Sequence, residues 1–373
     1  MPSDHKPIFV TQPFLPPLEE FNKMLQEIWQ AKWLTNNGLF HQKLESSLCD
    51  YLGVRNLSLF SNGTLALITA MQSMKLTGEV ITTPFSFVAT THALRWNGIQ
   101  PVFVDIEPNT FNIDPSKIEA AITDKTTAIL PVHVYGNPCD IDAIQNIADK
   151  YQLKVIYDAA HTFGVNINGE SVLNAGDLSV LSFHATKVFN TLEGGAIVMK
   201  TSAEKTRIDQ LKNFGFVDEI TIAEVGINAK MNEVQAAFGL LQLKYVDELI
   251  RKRKHIADMY KAELADIDGL YIIKDIAGVR HNYSYFPVLF DSKKLKSTRD
   301  DVYNQLKAHN IFSRRYFYPL ISNLSAYSSL DSASENHLPV ANRVAGQVLC
   351  LPIYADLAEE DVVRIIGLIR EII

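Results

Sequence analysis

Three stretches of the chain carry side chains suited to reaction rather than to packing. Lys187 stands in "SFHATKVFNTLEGGAIVM", between an apolar strand-like run and the Gly194-Gly195 turn, with Ser182 five residues before it. Lysine is a nucleophile only when its pKa is lowered, and its characteristic covalent chemistry is a Schiff base with an aldehyde. The ordinary alternative is a solvated surface charge. Asp158 closes "LKVIYD" and leads into "AAHTFG". A carboxylate there is partly desolvated, which raises its pKa unless a cation partners it. A protonated ring nitrogen is one such cation; capping the following turn is the other use of the residue. His161 either supports the same site or satisfies the turn. The third stretch is "SNGT", Ser61 to Thr64, at the head of a helical pattern. Gly63 and Thr64 can offer backbone N–H groups and a hydroxyl to a phosphate there, or the stretch is simply an N-cap.

Together these parts suit pyridoxal 5'-phosphate: a helix start for its phosphate, a carboxylate for its ring nitrogen, a lysine for its aldehyde. Phe87, after "EVITTP", is placed to stack on the ring. Neither GxxxxGK[ST] nor GxGxxG occurs, which removes the usual support for nucleotide hydrolysis and dinucleotide binding. His133, Cys139, His161 and His184 make no metal-ligand spacing, so no metal is expected.

The elements around these residues alternate. "SNGTLALITAMQSM", "SFVATTHALRWNG", "PSKIEAAI" and "CDIDAIQNIADKY" read as helices between the strands "EVITT", "PVFVDI", "TTAILPVHV" and "LKVIYD". Such alternation predicts a parallel sheet covered on both faces, with ligands collecting beyond the carboxyl ends of its strands. "LSVLSF" and "GAIVM" follow as two strands without a full helix between them. Ahead of all these, "LEEFNKMLQEIWQAKW" places Phe21, Met24, Leu25 and Ile28 on one helix face. A long helical run from about Met231 leads to a mixed segment containing "LYIIK", "YSYFPVLF", "TRDDVYNQLKAHN", "QVLCLPI" and "AEEDVVRIIGLIR". The 373 residues exceed the roughly 250–300 at which single cores stop growing, which predicts two domains. Residues 1–250 are expected to form an arm and a large domain, and 251–373 a smaller α+β domain.

The composition excludes several classes. A net charge of −7 gives no basic field for nucleic acid, and "RKRKH", Arg251 to His255, reads as a solvated helix face. Three cysteines without paired spacing argue for a reduced compartment. No run reaches the roughly 18 apolar residues of a membrane span, and "MPSDHKPIF" has no signal-peptide core. A cytoplasmic protein is expected, without nucleic-acid or membrane partners.

Seven motifs in order resemble the DegT/DnrJ/EryC1/StrS aminotransferases: "SNGTLAL", "TTPFSFVATTHA", "PVFVDI", "HVYG", "VIYDAAHTFG", "LSFHATKVFNTLEGGA" and "GINAKMNEVQAAFG". The resemblance spans nearly the whole chain. It implies the aspartate-aminotransferase-like α/β fold of type I pyridoxal phosphate enzymes, with a mostly parallel seven-stranded sheet in the large domain. By motif, Lys187 corresponds to the lysine that holds the cofactor's aldehyde, Asp158 to the partner of its ring nitrogen and His161 to a residue supporting the ring. Gly63, Thr64 and Ser182 correspond to the phosphate cradle and Phe87 to the stacking aromatic. Asn228 corresponds to an asparagine that reaches the phosphate from a neighbouring subunit, which implies a homodimer with shared sites. Lys230 departs from the arginine of many relatives, a change expected to affect substrate contacts. Lys187 itself argues against the dehydratases of the family, which carry histidine there.

"WLTNNG" and "RRYFYPL" bring the resemblance closer to the branch acting on dTDP-linked 4-keto-6-deoxyhexoses, with L-glutamate as amino donor. The resemblance is nearest to the branch that makes dTDP-4-amino-4,6-dideoxyglucose; a sister branch aminating C3 has very similar motifs and is the alternative. A non-catalytic binding protein on this fold would lose the Lys/Asp pair, which is intact here. Asn36, Asn37, Lys230, Arg314, Arg315, Tyr316 and Tyr318 are candidates for sugar-nucleotide contacts; the alternatives are an Asn-Gly turn and an amphipathic strand with exposed arginines.

Overall fold

The computed structural model describes residues 6–373. The polar opening "MPSDH", expected to carry no signal peptide, lies outside the described residues. The large sheet has seven strands: β1 Asn56–Phe60, β2 Glu79–Thr82, β3 Gln100–Phe103, β4 Thr126–Leu130, β5 Lys154–Asp158, β6 Leu178–Ser182 and β7 Gly195–Met199. Their order is β1-β7-β6-β5-β4-β2-β3, and only β7 runs against its neighbours. The other six therefore end on one edge of the sheet.

Strand residues alternate between two cores, as a period of two requires when both faces are covered. Leu57, Leu59, Leu181, Ala196 and Val198 face one core, closed by helices α1 Leu18–Ala31, α2 Leu39–Leu52 and the first half of a long helix, Glu233–Leu264. Phe60, Leu178, Val180, Ile197 and Met199 face the other, closed by α3 Gly63–Ser73 and α4 Ala89–Trp96. On α1, Ile28 is buried with Phe21, Met24 and Leu25 packed beside it, so the predicted face is the covered one.

The long helix leaves this core after Ile250 and enters another at Ile256, where Tyr260 and Leu264 pack with Phe286, Val288, Leu349 and Leu351. These belong to a three-stranded antiparallel sheet, Leu270–Ile272, Phe286–Phe290 and Val348–Leu351, with the middle strand central. The N-terminal arm also joins this part: Ile8–Phe9 pairs with Ile311–Phe312 and Ile8 is buried in its core.

Two local expectations are corrected. "PSKIEAAI" forms two short 3-10 turns, Pro115–Lys117 and Glu119–Ala121, rather than an α-helix. "RKRKH" is not solvated throughout. Arg253 is 4% exposed and donates from Nη1 to the carbonyl of Ile353 at 3.0 Å, with longer contacts to those of Tyr283 and Ser284. Among the described residues no helix is long and apolar enough to cross a membrane, and no cluster of three or more His, Cys, Asp or Glu could hold a metal. The three cysteines are free.

Candidate active site

A cavity of about 720 Å³ opens at the carboxyl edge of the six parallel strands. The loop carrying Lys187 is pinned from beneath. Val188 and Phe189, the next two residues, are buried, and Phe189 stacks on Phe163 at 4.3 Å with its edge toward Phe183. The Lys187 N–H donates to the His184 carbonyl at 2.9 Å, and Phe183 bonds back to Gly194 at 2.8 Å. With the following residues anchored in the core, Lys187 lines the cavity. Its Nζ lies 3.4 Å from the Tyr285 hydroxyl. Burial lowers the Lys187 pKa to about 8, against the opposing pull of the Asp158 charge.

Asp158 is 5% exposed at the end of β5. Its Oδ2 accepts from the Thr90 hydroxyl at 2.7 Å and its Oδ1 from the Ala160 N–H at 3.1 Å. Burial raises its pKa, while the Thr90 hydroxyl, the Ala160 N–H and the Lys187 charge pull the other way. His161 is held well below its ordinary pKa, chiefly by burial and then by the Lys187 charge. Its Nδ1 accepts from the Tyr135 N–H at 3.2 Å, so the neutral ring carries its proton on Nε2. Tyr285 meets its ring edge-on at 4.9 Å.

The "SNGT" turn serves as a cap and also borders the cavity. Asn62 Oδ1 accepts from the Leu65 N–H at 2.9 Å, while Asn62, Gly63 and Thr64 line the cavity opposite Ser182. A Cβ on Gly63 would sit 3.0 Å from the Ser182 Cβ, so the closeness of the two loops depends on glycine there. The N–H groups of Gly63 and Thr64 head α3, where no intrahelical carbonyl precedes them. Phe87 lines the same cavity and is 59% exposed, with ring surface free for a flat partner. The donor set fits pyridoxal phosphate: a buried carboxylate short of a cation, an amine with a lowered pKa, and a helix start lining the same cavity as a serine hydroxyl.

Seven of the expected residues thus share one cavity: Lys187, Asp158, His161, Gly63, Thr64, Ser182 and Phe87. Of the "SRRYFYPL" candidates only Tyr316 joins them. Arg315 instead pairs with Asp300 at 2.8 Å and stacks over Tyr303, and Tyr318 packs beside Arg299 and Arg315. Arg314 exchanges backbone bonds with Cys350 and its side chain is exposed. Asn36, Asn37 and Lys230 lie together in a second cavity of about 670 Å³, with His41, Lys212 and Asn213. Asn228 is exposed and outside the Lys187 cavity of its own chain. Sequence reading missed Ser86, Thr90, Tyr285 and Phe317 as cavity residues. Ser86 and Thr90 were legible only as a hydroxyl pair four apart in "SFVATT". Tyr285 was hidden in a strand-like run whose facing residues lie far away in sequence.

Comparison with known proteins agrees with this geometry. The DegT/DnrJ/EryC1/StrS aminotransferase family matches residues 18–370. The chain is 55% identical over 365 residues to an Escherichia coli dTDP-4-amino-4,6-dideoxy-D-glucose transaminase, covering 98% of each chain. It is 56% identical over 367 residues to a Shigella dysenteriae protein of the same description, covering 98% of this chain and 99% of that one. Among solved structures, that of DesI in the presence of its TDP-sugar product superposes with a TM-score of 0.95 at 35% identity, covering 100% of this chain and 94% of DesI.

Proposed function

The chain belongs to the DegT/DnrJ/EryC1/StrS aminotransferase family, and from that premise we propose that it aminates a dTDP-linked sugar. The reaction moves the amino group of L-glutamate to C4 of a dTDP-4-keto-6-deoxyhexose. It yields dTDP-4-amino-4,6-dideoxyglucose and 2-oxoglutarate, so nitrogen and oxygen change places between the substrates. The observation that carries the chemistry is the pairing in one cavity of Lys187, its pKa lowered to about 8, with buried Asp158. That intact pair also weighs against a non-catalytic role. The substrate class is supported by the two full-length relatives, both described as acting at the 4-amino position.

Pyridoxal phosphate, when bound, supplies an aldehyde that condenses with amines and a ring that takes up electrons. The chain's own residues do the rest. Gly63, Thr64 and Ser182 hold the phosphate, and Phe87 offers a flat apolar surface to the ring. Asp158 keeps a proton on the ring nitrogen, the arrangement that most favours electron uptake. His161, neutral, adds an N–H donor to the cavity wall without a second positive charge. The Lys187 Nζ takes the proton from Cα of the amino donor and returns one at C4 of the sugar. Its lowered pKa leaves an appreciable neutral fraction near pH 7. Tyr285, whose pKa burial raises, stays protonated and holds Nζ in place.

Asn228 is exposed beside an apolar surface loop in which Ile220 and Val225 are each at least 90% exposed. On this reading a second copy of the chain covers that loop and receives Asn228 at its own phosphate site. The test of the function offers purified protein, pyridoxal phosphate and L-glutamate the 4-keto and 3-keto isomers of dTDP-6-deoxyglucose separately. An amine at C4, located by NMR, is the expected product. An amine at C3 moves the enzyme to the sister branch, and no product from either sugar overturns the substrate assignment.

A further inference from the structure

We infer that Ser86 and Thr90 form a two-hydroxyl relay that positions Asp158 and keeps it ionised toward the ring nitrogen of the cofactor; this rests on the pyridoxal phosphate reading above. Neither hydroxyl belongs to the set expected from the sequence, and Thr90 acts through another residue.

The direction of the relay follows from the acceptor at its end. An ionised carboxylate has no proton to give, so the 2.7 Å contact between Thr90 Oγ1 and Asp158 Oδ2 runs from the threonine hydroxyl to the carboxylate. That commits the single Thr90 proton. The 3.0 Å contact between Ser86 Oγ and Thr90 Oγ1 must then run from serine to threonine. Each donation polarises the next, and a hydrogen bond to an ionised acceptor is about twice as strong as a neutral one. Ser86, Thr90 and Asp158 are 4%, 1% and 5% exposed, so water does not compete with the chain of bonds.

The placement is not the local bond usual for such residues. Serine and threonine at a helix start commonly bond to backbone groups a few residues away. Thr90, in the first turn of α4, reaches a side chain 68 positions along the sequence. With Ala160 N–H on Oδ1, both carboxylate oxygens have one donor from the protein. Their remaining lone pairs are left for the cavity that Asp158, Thr90 and Ser86 all line. Burial alone pushes the carboxyl toward its neutral form, and Thr90 is the protein hydrogen bond that opposes this most. The relay also fixes α4 against the end of β5, so the carboxylate has one orientation before any ligand arrives.

The inference separates from a merely structural role by comparing two ligands. The dissociation constant of pyridoxal phosphate is measured beside that of its carbocyclic analogue, in which C–H replaces the ring nitrogen, for wild type, Thr90→Val, Thr90→Ser and Ser86→Ala. Wild type is expected to prefer the nitrogen-containing ring. Thr90→Val is expected to reduce that preference about tenfold, the scale of one charge-assisted bond. Thr90→Ser should restore it, and Ser86→Ala should reduce it about threefold, the loss of a neutral bond behind it. Equal weakening of both ligands in Thr90→Val, with the preference unchanged, overturns the relay. Failure of wild type to bind pyridoxal phosphate overturns the cofactor reading itself, and the relay with it.

Discussion

Lys187 and Asp158 are both shifted toward their neutral forms, because at each the loss of water outweighs the attraction of the other. The amine therefore titrates at about 8, below an ordinary lysine. Its sign is fixed: protonated and unreactive below pH 8, neutral and nucleophilic above. Labelling of the cofactor-free protein by an amine-directed reagent should modify Lys187 with a midpoint near pH 8, read by peptide mass spectrometry. A midpoint near that of the surface lysines would remove the basis for its reactivity. At this scale the sequence was informative where a residue's neighbours are local. Lys187, Asp158 and His161 stand next to buried anchors in their own segments, and each lines the cavity. Arg315 was not legible, because its partners Asp300 and Tyr303 belong to a helix whose side-chain geometry no motif encodes. Thr90 was not legible because its partner, Asp158, stands 68 positions away at the end of β5.

At the scale of elements, the site depends on how closely the head of α3 approaches the ends of β6 and β7. Gly195 pairs with Phe60, and a Cβ there would lie 2.8 Å from backbone atoms of Asn62 and Gly63, which cannot move cheaply. Gly195→Ala should destabilise the protein by about 1–3 kcal/mol, as overpacking does, and weaken binding of free phosphate and cofactor together. Asn62→Ala removes the cap but leaves the close approach at Gly195 untouched, and should cost about 1 kcal/mol, measured by chemical denaturation. Equal effects of the two would show that the cap, not the close approach, shapes this corner. Six of the seven strands were readable from short apolar runs between helical patterns. The seventh, Asn56–Phe60, is a brief "NLSLF" whose strand character comes from pairing with β7 rather than from its own residues. The 3-10 turns at Pro115–Ala121 show the converse, a helical spacing too short and too broken to close into an α-helix.

The whole molecule sets which residues meet across long distances. The long helix carries residues of both the first and the second core, and we place the domain boundary within it, near residue 250. Asn228 does not line the Lys187 cavity of its own chain, and has a use in the proposed function only if a second copy is present. Mixing inactive Lys187→Ala with inactive Asn228→Ala protein, with exchange of subunits, should restore about a quarter of wild-type activity, since half the dimers then hold one intact site. No recovery, with exchange shown by differently tagged chains, would place Asn228 outside the shared site. The claim on which everything else stands is that Lys187 holds the cofactor, and borohydride reduction after incubation with pyridoxal phosphate tests it directly. Peptide mapping should find the reduced adduct on Lys187 and nowhere else at stoichiometric yield; an adduct on another lysine, or none, would contradict it.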